Sequence, residues 1–352
     1  GQITAIGGGG PADFSVWALT PGLVDLHCHG GQGFDPELNE RPLPEFLTIL
    51  LCHGVTDVLL TLGAEPLPTM RRALAVVQTA MQQQAAGKLP GAHILGVHLE
   101  GPFLSPERPG AMPPAALLPP TLAAYQTLVQ GHESVIRQVT LAPELPGALE
   151  LGAALAARGI RVQAGHTDAD YETAQRAFSA GFTGLCHTFN ACRPLRHRDP
   201  GVVAAALLDP NVTTECICDL VHLHPAALQL VYHMKGPEAM IAVSDSVATH
   251  GLPDGRHTVA GQDYIVQNDI HVVINQWWPA ESLSGIKELC IVIKCLHMSL
   301  FRPSEFENIH WRGWGILIRL LGKNIYNWHA NAKACRSVEH FFPFIHKYVF
   351  LA

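Results

Sequence analysis

Hydrophobic and polar positions follow two alternating patterns between residues 19 and 243, and together they predict the fold. Short apolar runs, typical of buried strands, alternate with longer segments in which apolar residues recur at helical spacing. The predicted strands are residues 19–29, 55–61, 93–100, 135–141, 160–164, 183–187, 213–218 and 240–243. The predicted helices are residues 44–53, 68–86, 121–131, 147–158, 169–180, 201–208 and 225–234.

Apolar strands between amphipathic helices indicate a parallel sheet whose faces are covered by helices. Repeated strand–helix units within about 250 residues favour a (β/α)8 barrel, with a doubly wound open sheet as the alternative. We therefore predict an α/β fold, with a TIM-like barrel over residues 21–268. Residues 1–20 are assigned to a small β-sandwich element, and residues 269–352 to the remainder of the barrel and of that element.

The composition changes near Asn268. Residues 1–268 carry a net charge of −10 (14 Lys+Arg against 24 Asp+Glu), whereas residues 269–352 carry +3 (nine against six). Five of the six Trp follow the change, but only three of the 26 Pro. One interpretation is a second domain of different origin; the other is that the residue identities after 268 are doubtful. We favour the second, because no linker marks the junction, and no function is inferred from residues 269–352.

Charge and composition exclude several classes of protein. With 48% hydrophobic residues and a net charge of −7, the chain can bury a large core and offers no basic surface for nucleic acid or an anionic membrane. No run of 18 apolar residues predicts a transmembrane helix, and the first ten residues lack the layout of a signal peptide. The nine scattered cysteines are interpreted as reduced thiols of a cytoplasmic protein.

Polar side chains recur where the predicted strands end. In a barrel these ends converge on one pocket, and residues two apart in a strand share a face. Imidazoles and carboxylates gathered there predict a catalytic metal site with an acid/base beside it. A lone histidine at a strand end is more often structural, but the conjunction of six such groups favours the metal site. The six residues are His27, His29, Glu100, His166, His187 and Asp245.

Six further histidines before the composition change are given structural roles, and His98 is considered separately. His98 lies two residues before Glu100 and shares its face of the strand. It is therefore a candidate to support a metal ligand without binding the ion itself. The histidines interpreted as structural are His53, His93, His132, His233, His250 and His257.

Several motifs together resemble a known family. They are PGLVDLHCHG at 21–30, HLEGPF at 98–103, AGHT at 164–167, HTFNA at 187–191, RDPG at 198–201 and VSDS at 243–246. The chain resembles the amidohydrolase superfamily and, within it, the N-acetylglucosamine-6-phosphate deacetylase family. The H-x-H element is shared across the superfamily, whereas L-E-G-P-F and H-x-F-N-A are specific to the deacetylases. The resemblance extends over about residues 1–268.

The resemblance implies a role for each matching residue. A divalent metal would be held by Glu100, His166 and His187, and His27 and His29 would hold a second, which some members bind and others lack, so one or two ions are expected per subunit. The sugar phosphate would be held by the backbone at Asn190 and Ala191, the guanidinium of Arg198 and the imidazole of His222, with Asp245 as general acid/base. The expected ion is Zn²⁺ or Fe²⁺, with Co²⁺ and Mn²⁺ also compatible, and a homodimer is expected. The implied reaction is metal-dependent deacetylation of N-acetylglucosamine 6-phosphate in amino-sugar catabolism.

The residues also support and qualify this resemblance. Many members of the superfamily bridge two metals with a carboxylated lysine, but Lys88 and Lys235, which precede the composition change, are not at strand ends. Glu100 must therefore take that place, as in the deacetylases. Two positions depart from the family pattern: Met112 stands where a substrate-contacting histidine is usual, and Leu220 where glycine is usual. Both departures concern the sugar rather than the metal.

Two further functions stay open on the sequence. One is an amidohydrolase that acts on a different N-acyl amino sugar or on a cyclic amide. The H-x-F-N-A element and Arg198, which suits phosphate through its planar fork of donors, argue against it. The other is a non-catalytic metal-binding homologue, and Asp245 argues against that because a purely structural site needs no free carboxylate.

Overall fold

Eight parallel strands, each hydrogen-bonded to the next in chain order, form the central sheet of the protein. In the computed structural model the described residues are 18–37, 42–259, 262–267, 270–273 and 348–351. The eight strands are β2 (Leu23–Cys28), β3 (Val55–Leu62), β4 (His93–Glu100), β5 (Ile136–Leu141), β6 (Arg161–Ala164), β7 (Gly184–Leu185), β8 (Thr213–Ile217) and β9 (Met240–Val243).

A helix follows each of the first seven strands and returns the chain to the start of the next. These helices are α1 (Leu43–Cys52), α2 (Leu67–Ala85), α3 (Leu122–Val129), α4 (Ala148–Ala156), α5 (Tyr171–Ser179), α6 (Gly201–Leu208) and α7 (Pro225–Ala239). In α7 the backbone kinks at Gly236, where φ is +65°, just before Pro237. Among the described helices, none combines the length and apolarity needed to cross a membrane.

Backbone hydrogen bonds between the first and last strands close the sheet into a barrel. The N–H of Asp245 donates to the carbonyl of His27 at 2.9 Å, and the N–H of His29 donates to Ser246 at 2.8 Å. Below them the hydroxyl of Ser244, just after β9, donates to the buried carboxylate of Asp25 in β2. The predicted (β/α)8 barrel is therefore confirmed, with eight strands and seven helices among the described residues.

The packing explains why the strands read as apolar runs. Residues such as Val58 and Leu60 on β3 and Leu99 on β4 lie fully buried between the barrel and its helices. The inner face of the barrel is different, because it carries polar side chains that are also fully buried. They are His27, Thr61, His98, Gln138, Thr140, Gln163 and Glu215. Branched apolar layers usually fill a barrel of this kind, so the polar interior needs a specific explanation.

Two small sheets accompany the barrel. Strand β1 (Ala18–Pro21) pairs in parallel with β13 (Tyr348–Leu351), which joins segments from the two ends of the chain. Strands β10 (Gly255–Val259), β11 (Gln262–Gln267) and β12 (Ile270–Val273) form an antiparallel meander. The domain boundaries and the β-sandwich element stay predictions, because residues 1–17 and 274–347 lie outside the described residues.

Two predicted strands differ from the structure. The strand expected over 19–29 is two strands separated at Gly22, where the chain passes so close to β3 that an added Cβ would overlap Thr56. The strand expected over 183–187 is only Gly184–Leu185, because the backbone turns out of the extended conformation at His187, where φ is +21°. His187 therefore follows its strand by two residues and does not end it.

Burial in α7 predicts a clear contrast between two leucines of the same helix. Leu228 is 1% exposed and packs into the core, whereas Leu230 is 46% exposed. Leu228→Ala should lower the free energy of unfolding by about 2–5 kcal/mol, because it removes buried methyl groups and leaves a cavity. Leu230→Ala should change it by no more than about 0.5 kcal/mol. Urea unfolding followed by circular dichroism measures both, and equal losses would contradict this packing.

Candidate metal centre

Three of the predicted site residues share one local geometry. His166, His187 and Asp245 each lie two residues beyond the end of a barrel strand, and each has a positive φ, of +45°, +21° and +48°. Such angles are strained for residues with a Cβ. The turn at each position bends the chain across the mouth of the barrel instead of continuing outward along the strand.

Backbone strain is concentrated at this one end of the barrel. Among the described residues, every non-glycine residue with positive φ lies after the carboxyl end of a barrel strand: Gln32, His166, His187, Phe189, Ala191, Leu220 and Asp245. Strained residues of this kind persist where the surrounding structure fixes them, and they cluster at functional sites. The strain and the predicted ligands therefore identify the same face of the molecule.

The carboxylate of Glu100, at the end of β4, is the centre of the cluster. It is 2% exposed. Its Oε1 lies 2.7 Å from Nε2 of His187 and 3.2 Å from Nε2 of His166. Its Oε2 lies 2.9 Å from Nε2 of His29 and 3.4 Å from Nε2 of His27. Each carboxylate oxygen thus faces a different pair of imidazoles.

Asp245 completes the group on the Oε2 side. Its Oδ1 lies 3.2 Å from Nε2 of His27 and 3.4 Å from Nε2 of His29. The two adjoining groups that could hold an ion are therefore Glu100, His166 and His187 on one side, and His27, His29, Glu100 and Asp245 on the other. Glu100 belongs to both groups, so it could bridge two ions.

The spacing of these atoms fits divalent metal binding. Ligand atoms on one tetrahedral zinc ion lie about 3.3 Å apart, since each bond to zinc is about 2.0 Å long. The corresponding distances here run from 2.7 to 3.4 Å. The Nε2 atoms of His166 and His187 are only 3.0 Å apart, a separation that a shared cation stabilises when both nitrogens carry lone pairs. Nitrogen and oxygen ligands of this kind suit Zn²⁺ and neighbouring divalent metals.

The electrostatics of the cluster also favour positive charge. Burial lowers the pKa of His29, but hydrogen bonds to Asp245 and Glu100 outweigh it and raise the pKa to about 9. Burial raises the pKa of Glu100, but the charge of His27 and the hydrogen bond from His166 outweigh it and hold the pKa well below its usual range. The carboxylates thus stabilise cations beside them, and a bound divalent ion would supply that charge.

His166 is oriented by the loop after β4. Its Nδ1 donates to the carbonyl of Arg108 at 3.0 Å, which leaves Nε2 to face Glu100. A Cβ on Gly110 would lie 2.8 Å from the ring, so this loop covers His166 closely. The guanidinium of Arg108 in turn contacts Asp168 at 2.7 Å, which ties the loop to the segment after β6.

His222 forms a pair with Asp219 beyond the end of β8. Nδ1 of His222 lies 2.6 Å from the carboxylate of Asp219, which also accepts the N–H of His222 at 2.9 Å. Burial lowers the pKa of His222, but the hydrogen bond and charge of Asp219 outweigh it and raise the pKa above its ordinary value. The charge of the Asp245 carboxylate also raises the pKa of His222, whereas the charge of His187 lowers it.

The loop after β7 carries the other residues predicted to bind substrate. The N–H of Asn190 donates to the carbonyl of His187 at 2.9 Å, so Asn190 stabilises the turn that aims His187. Among the described residues, the N–H of Ala191 has no backbone acceptor. Arg198 is exposed at the tip of the same loop, where a backbone pair between Arg196 and Asp199 forms a tight turn.

This arrangement of ligands at the carboxyl ends of barrel strands has a counterpart among known proteins. A family model described as "Amidohydrolase family" matches residues 18–264. The chain belongs to the amidohydrolase family. The match covers all eight strands of the barrel and all residues of the two candidate ion groups.

Relatives within the amidohydrolases include deacetylases of sugar phosphates. The chain is 37% identical over 251 residues to the N-acetylglucosamine-6-phosphate deacetylase of Vibrio furnissii. This alignment covers 71% of this chain and 60% of the relative. It is 36% identical over 249 residues to the N-acetylgalactosamine-6-phosphate deacetylase of Escherichia coli O157:H7. That alignment covers 70% of this chain and 64% of the relative. The chain thus spans only 60–64% of the length of these two relatives.

A solved structure shares the same architecture. It is an N-acetyl-D-glucosamine-6-phosphate deacetylase variant from Mycobacterium smegmatis in complex with N-acetyl-D-glucosamine-6-phosphate. The TM-score is 0.67 and the sequence identity 32%, over 73% of this chain and 66% of that one. The barrel of this amidohydrolase is thus shared with a structure determined with a sugar phosphate bound.

The two departures from the family pattern have visible structural consequences. Met112 packs at the end of β3, where its sulfur accepts the N–H of Ala64 at 3.2 Å. A thioether cannot donate a hydrogen bond as an imidazole can. Leu220 has a φ of +64°, an angle that glycine adopts without strain and leucine does not. The backbone thus keeps the conformation that suits glycine although the residue is Leu220.

Sequence reasoning missed three residues that contact this amidohydrolase site. Glu215 is 3.2 Å from Nδ1 of His27, and Cys186 is 3.4 Å from Oε1 of Glu100. Asp219, the partner of His222, is the third. A signal was present for Glu215, since a single carboxylate inside a predicted buried strand, Thr213–Ile217, is costly to bury without a partner.

The candidate support residue His98 takes a different place. Its ring stacks edge-on against His27 with centroids 4.7 Å apart, and its nitrogens contact Thr61 and Thr140. Burial, followed by the charge of His27, lowers the pKa of His98 to about 3, so the ring stays neutral. His98 therefore holds the ring of His27 by packing rather than by a hydrogen bond to a ligand.

Replacing one ligand predicts selective loss of metal. His187→Ala removes a nitrogen from the Glu100, His166 and His187 group, and zinc affinity at that group should fall by at least about a hundredfold. His93→Ala is the matched control, because His93 begins the strand that Glu100 ends and its side chain is 64% exposed. Its metal content should equal that of the wild type. Elemental analysis after dialysis measures both, and unchanged metal in His187→Ala would refute this assignment.

Proposed function

We propose that the protein is a metal-dependent deacetylase that converts N-acetylglucosamine 6-phosphate to glucosamine 6-phosphate and acetate, in amino-sugar catabolism. The observation that carries this proposal is the buried carboxylate of Glu100 shared between two groups of imidazoles beside Asp245. The names of the relatives support the substrate class.

In this proposal the residues of the two groups hold the ions. Glu100, His166 and His187 would hold the first, and His27 and His29 would hold a second. A divalent cation bound here supplies a Lewis acid that polarises a carbonyl oxygen and lowers the pKa of water. Zinc or iron is proposed as the native metal, since imidazole and carboxylate ligands suit both.

Asp245 is proposed as the general acid/base. Burial raises the pKa of Asp245, but the charge of His27 and the hydrogen bond to His29 outweigh it, so the carboxylate is ionised at neutral pH. An ionised carboxylate can accept the proton of the attacking water. It can then return that proton to the amino nitrogen as the carbon–nitrogen bond breaks and acetate leaves.

His222 and its partner are proposed to act on the acetyl oxygen. The carboxylate of Asp219 accepts from Nδ1 of His222, so the ring in its protonated form would donate a second hydrogen bond from Nε2 toward the reacting carbonyl. Negative charge grows on that oxygen during attack, so a donor held in place beforehand stabilises the transition state more than the ground state.

The loop after β7 is proposed to hold the phosphate. The N–H of Ala191 and the guanidinium of Arg198 are donors in this loop, in which the N–H of Asn190 donates to the carbonyl of His187. Arginine suits phosphate because its planar fork can donate two hydrogen bonds. We further propose a cytoplasmic homodimer; the free thiols of all six described cysteines are compatible with a reducing compartment.

A second substrate is favoured by a specific observation. N-acetylgalactosamine 6-phosphate differs from the glucosamine substrate in the configuration of one ring hydroxyl, and a 36% identical relative is named for it. Where the family pattern has a substrate-contacting histidine, this chain has Met112, whose thioether cannot donate a hydrogen bond, and we propose that this weakens discrimination between hydroxyl positions. Both sugar phosphates are therefore tested side by side.

Acetate release from phosphorylated and unphosphorylated sugars tests the proposed function. The protein should release acetate from one of the two sugar phosphates only when a divalent metal is present. Arg198→Ala should lower kcat/KM for that substrate by about tenfold to a hundredfold, because it removes a charged hydrogen bond worth roughly 1.5–3 kcal/mol. Turnover of the unphosphorylated sugar should hardly change.

Arg196→Ala serves as the control for charge, since Arg196 is exposed in the same turn but outside the RDPG motif. It should retain wild-type kcat/KM on both sugars. Equal losses on both sugars in Arg198→Ala would show a structural role for Arg198. Metal-dependent hydrolysis of a cyclic amide without turnover of either sugar phosphate would favour the alternative amidohydrolase activity.

Asp245→Asn separates proton transfer from metal binding. Asparagine keeps the shape of the side chain but cannot accept a proton, so kcat should fall by about 10²–10⁴-fold while metal content and KM stay near wild type. Stopped assays of acetate release and elemental analysis measure the two quantities. Retention of more than about a tenth of the wild-type kcat would assign proton transfer to another group. Loss of metal together with activity would make Asp245 a ligand.

A further inference from the structure

Glu215 lies on β8 inside the barrel, directly behind the candidate metal centre. Its side chain is fully buried. Oε1 accepts hydrogen bonds from Nε2 of Gln138 at 3.1 Å and from Nε2 of Gln163 at 2.5 Å. Oε2 lies 3.2 Å from Nδ1 of His27. The two oxygens of Glu215 thus have different partners. Oε1 contacts two amides, and Oε2 contacts Nδ1 of His27, the ring nitrogen that does not face the candidate ion site.

We propose that Glu215 is the positioning residue of His27, which fixes its tautomer and aims its Nε2 at the ion site. A carboxylate can only accept a hydrogen bond, so the contact with His27 requires a proton on Nδ1. With an ion bound, His27 would be neutral and carry one N–H, so Nε2 would present a lone pair on the side of Glu100 and Asp245. This inference rests on the proposed metal-dependent function.

The partners of Glu215 come from three different strands of the barrel. Glu215 stands on β8, whereas His27 is on β2 and the two glutamines are on β5 and β6. The hydrogen bonds therefore cross the interior of the barrel from several sides and hold the carboxylate in one orientation. Such support behind a ligand raises its basicity and fixes the direction of its lone pair.

A third ion between His27, Cys186 and Glu215 is a weaker explanation of the same contacts. These residues do form a third group of possible ligands. However, Oε1 of Glu215 already accepts two amide N–H groups, and Cys186 lies 3.4 Å from Oε1 of Glu100, where its S–H can donate. Sγ of Cys186 also lies 3.6 Å from Nδ1 of His27, a longer contact than the 3.2 Å to Glu215. Hydrogen bonds therefore account for both oxygens of Glu215 without a cation.

Glu215→Gln tests this proposal because the geometry predicts which nitrogen of His27 carries the proton in the variant. With Gln138 and Gln163 oriented as they are, the oxygen of the new amide lies beside their N–H groups, so its nitrogen would face Nδ1 of His27. That nitrogen donates, which forces the proton of His27 onto Nε2 and blocks the lone pair. The affinity for the second zinc ion should fall by about tenfold to a hundredfold, while the ion at His166 and His187 is retained.

Two readouts are measured on the full chain. Zinc titration of metal-free protein against a chromophoric chelator gives the affinity and number of ions. Nitrogen-15 spectra of histidine-labelled, zinc-loaded protein report the tautomer of His27, with the signal assigned by its loss in His27→Asn. The wild type should show a proton on Nδ1, and Glu215→Gln should not.

Two further variants keep the test decisive if Glu215→Gln folds poorly. Glu215→Asp keeps the charge but shortens the reach toward His27, so its second-ion affinity should fall between those of the wild type and Glu215→Gln. Lys235→Met is the control for lost stability, because it removes the buried hydrogen bond of Lys235 to the carbonyl of Ala206, outside the barrel. It should leave both zinc affinities unchanged.

The outcomes separate this inference from the proposed function. Wild-type affinity for both ions and an unchanged His27 tautomer in Glu215→Gln, with a metal-dependent wild type, would overturn the inference alone. A third zinc ion in the wild type that Glu215→Gln and Cys186→Ser both lose would overturn it in favour of an ion site. A wild type that binds no divalent ion would overturn the inference and the proposed function together.

Discussion

The rest of the site depends on the contacts between the carboxylate of Glu100 and four imidazoles. The carboxylate is almost fully buried, yet both oxygens face pairs of imidazole nitrogens at 2.7–3.4 Å. A buried carboxylate is tolerated only with partners of opposite charge or with hydrogen-bond donors. The partners come from β2 and from the turns after β6 and β7, so the centre forms only when the barrel closes.

Two features of the barrel that accompany this centre are unfavourable for the stability of the fold. The barrel interior holds buried polar side chains, such as Gln138, Gln163 and Glu215, where apolar packing would be more stable. Its strand ends hold strained backbone at His166, His187 and Asp245. The polar side chains lie inside the barrel and the strained residues follow its strand ends, where Glu100 also lies. We interpret them as the structural requirement for several ligands with fixed orientations, which a purely apolar barrel would not provide.

Much of the fold could be predicted because each strand and helix has its own periodicity. The proximity of the candidate ligands could be predicted because parallel strand ends converge, so His27, His29 and Glu100 had to lie near one another. The role of Glu215 could not, since its partners are brought to it only by closure of the barrel. The early end of β7 depends on the backbone at His187, and local periodicity carries no signal for that turn.

Anomalous X-ray diffraction from crystals of the zinc-loaded protein tests the central role of Glu100 most directly. Data on both sides of the zinc edge should show a peak about 2.0–2.2 Å from an oxygen of Glu100 and from Nε2 of His166 and His187. A second peak, where present, should lie on the other oxygen, beside His27 and His29. Zinc bound elsewhere in the molecule, with no peak within bonding distance of Glu100, would contradict this account.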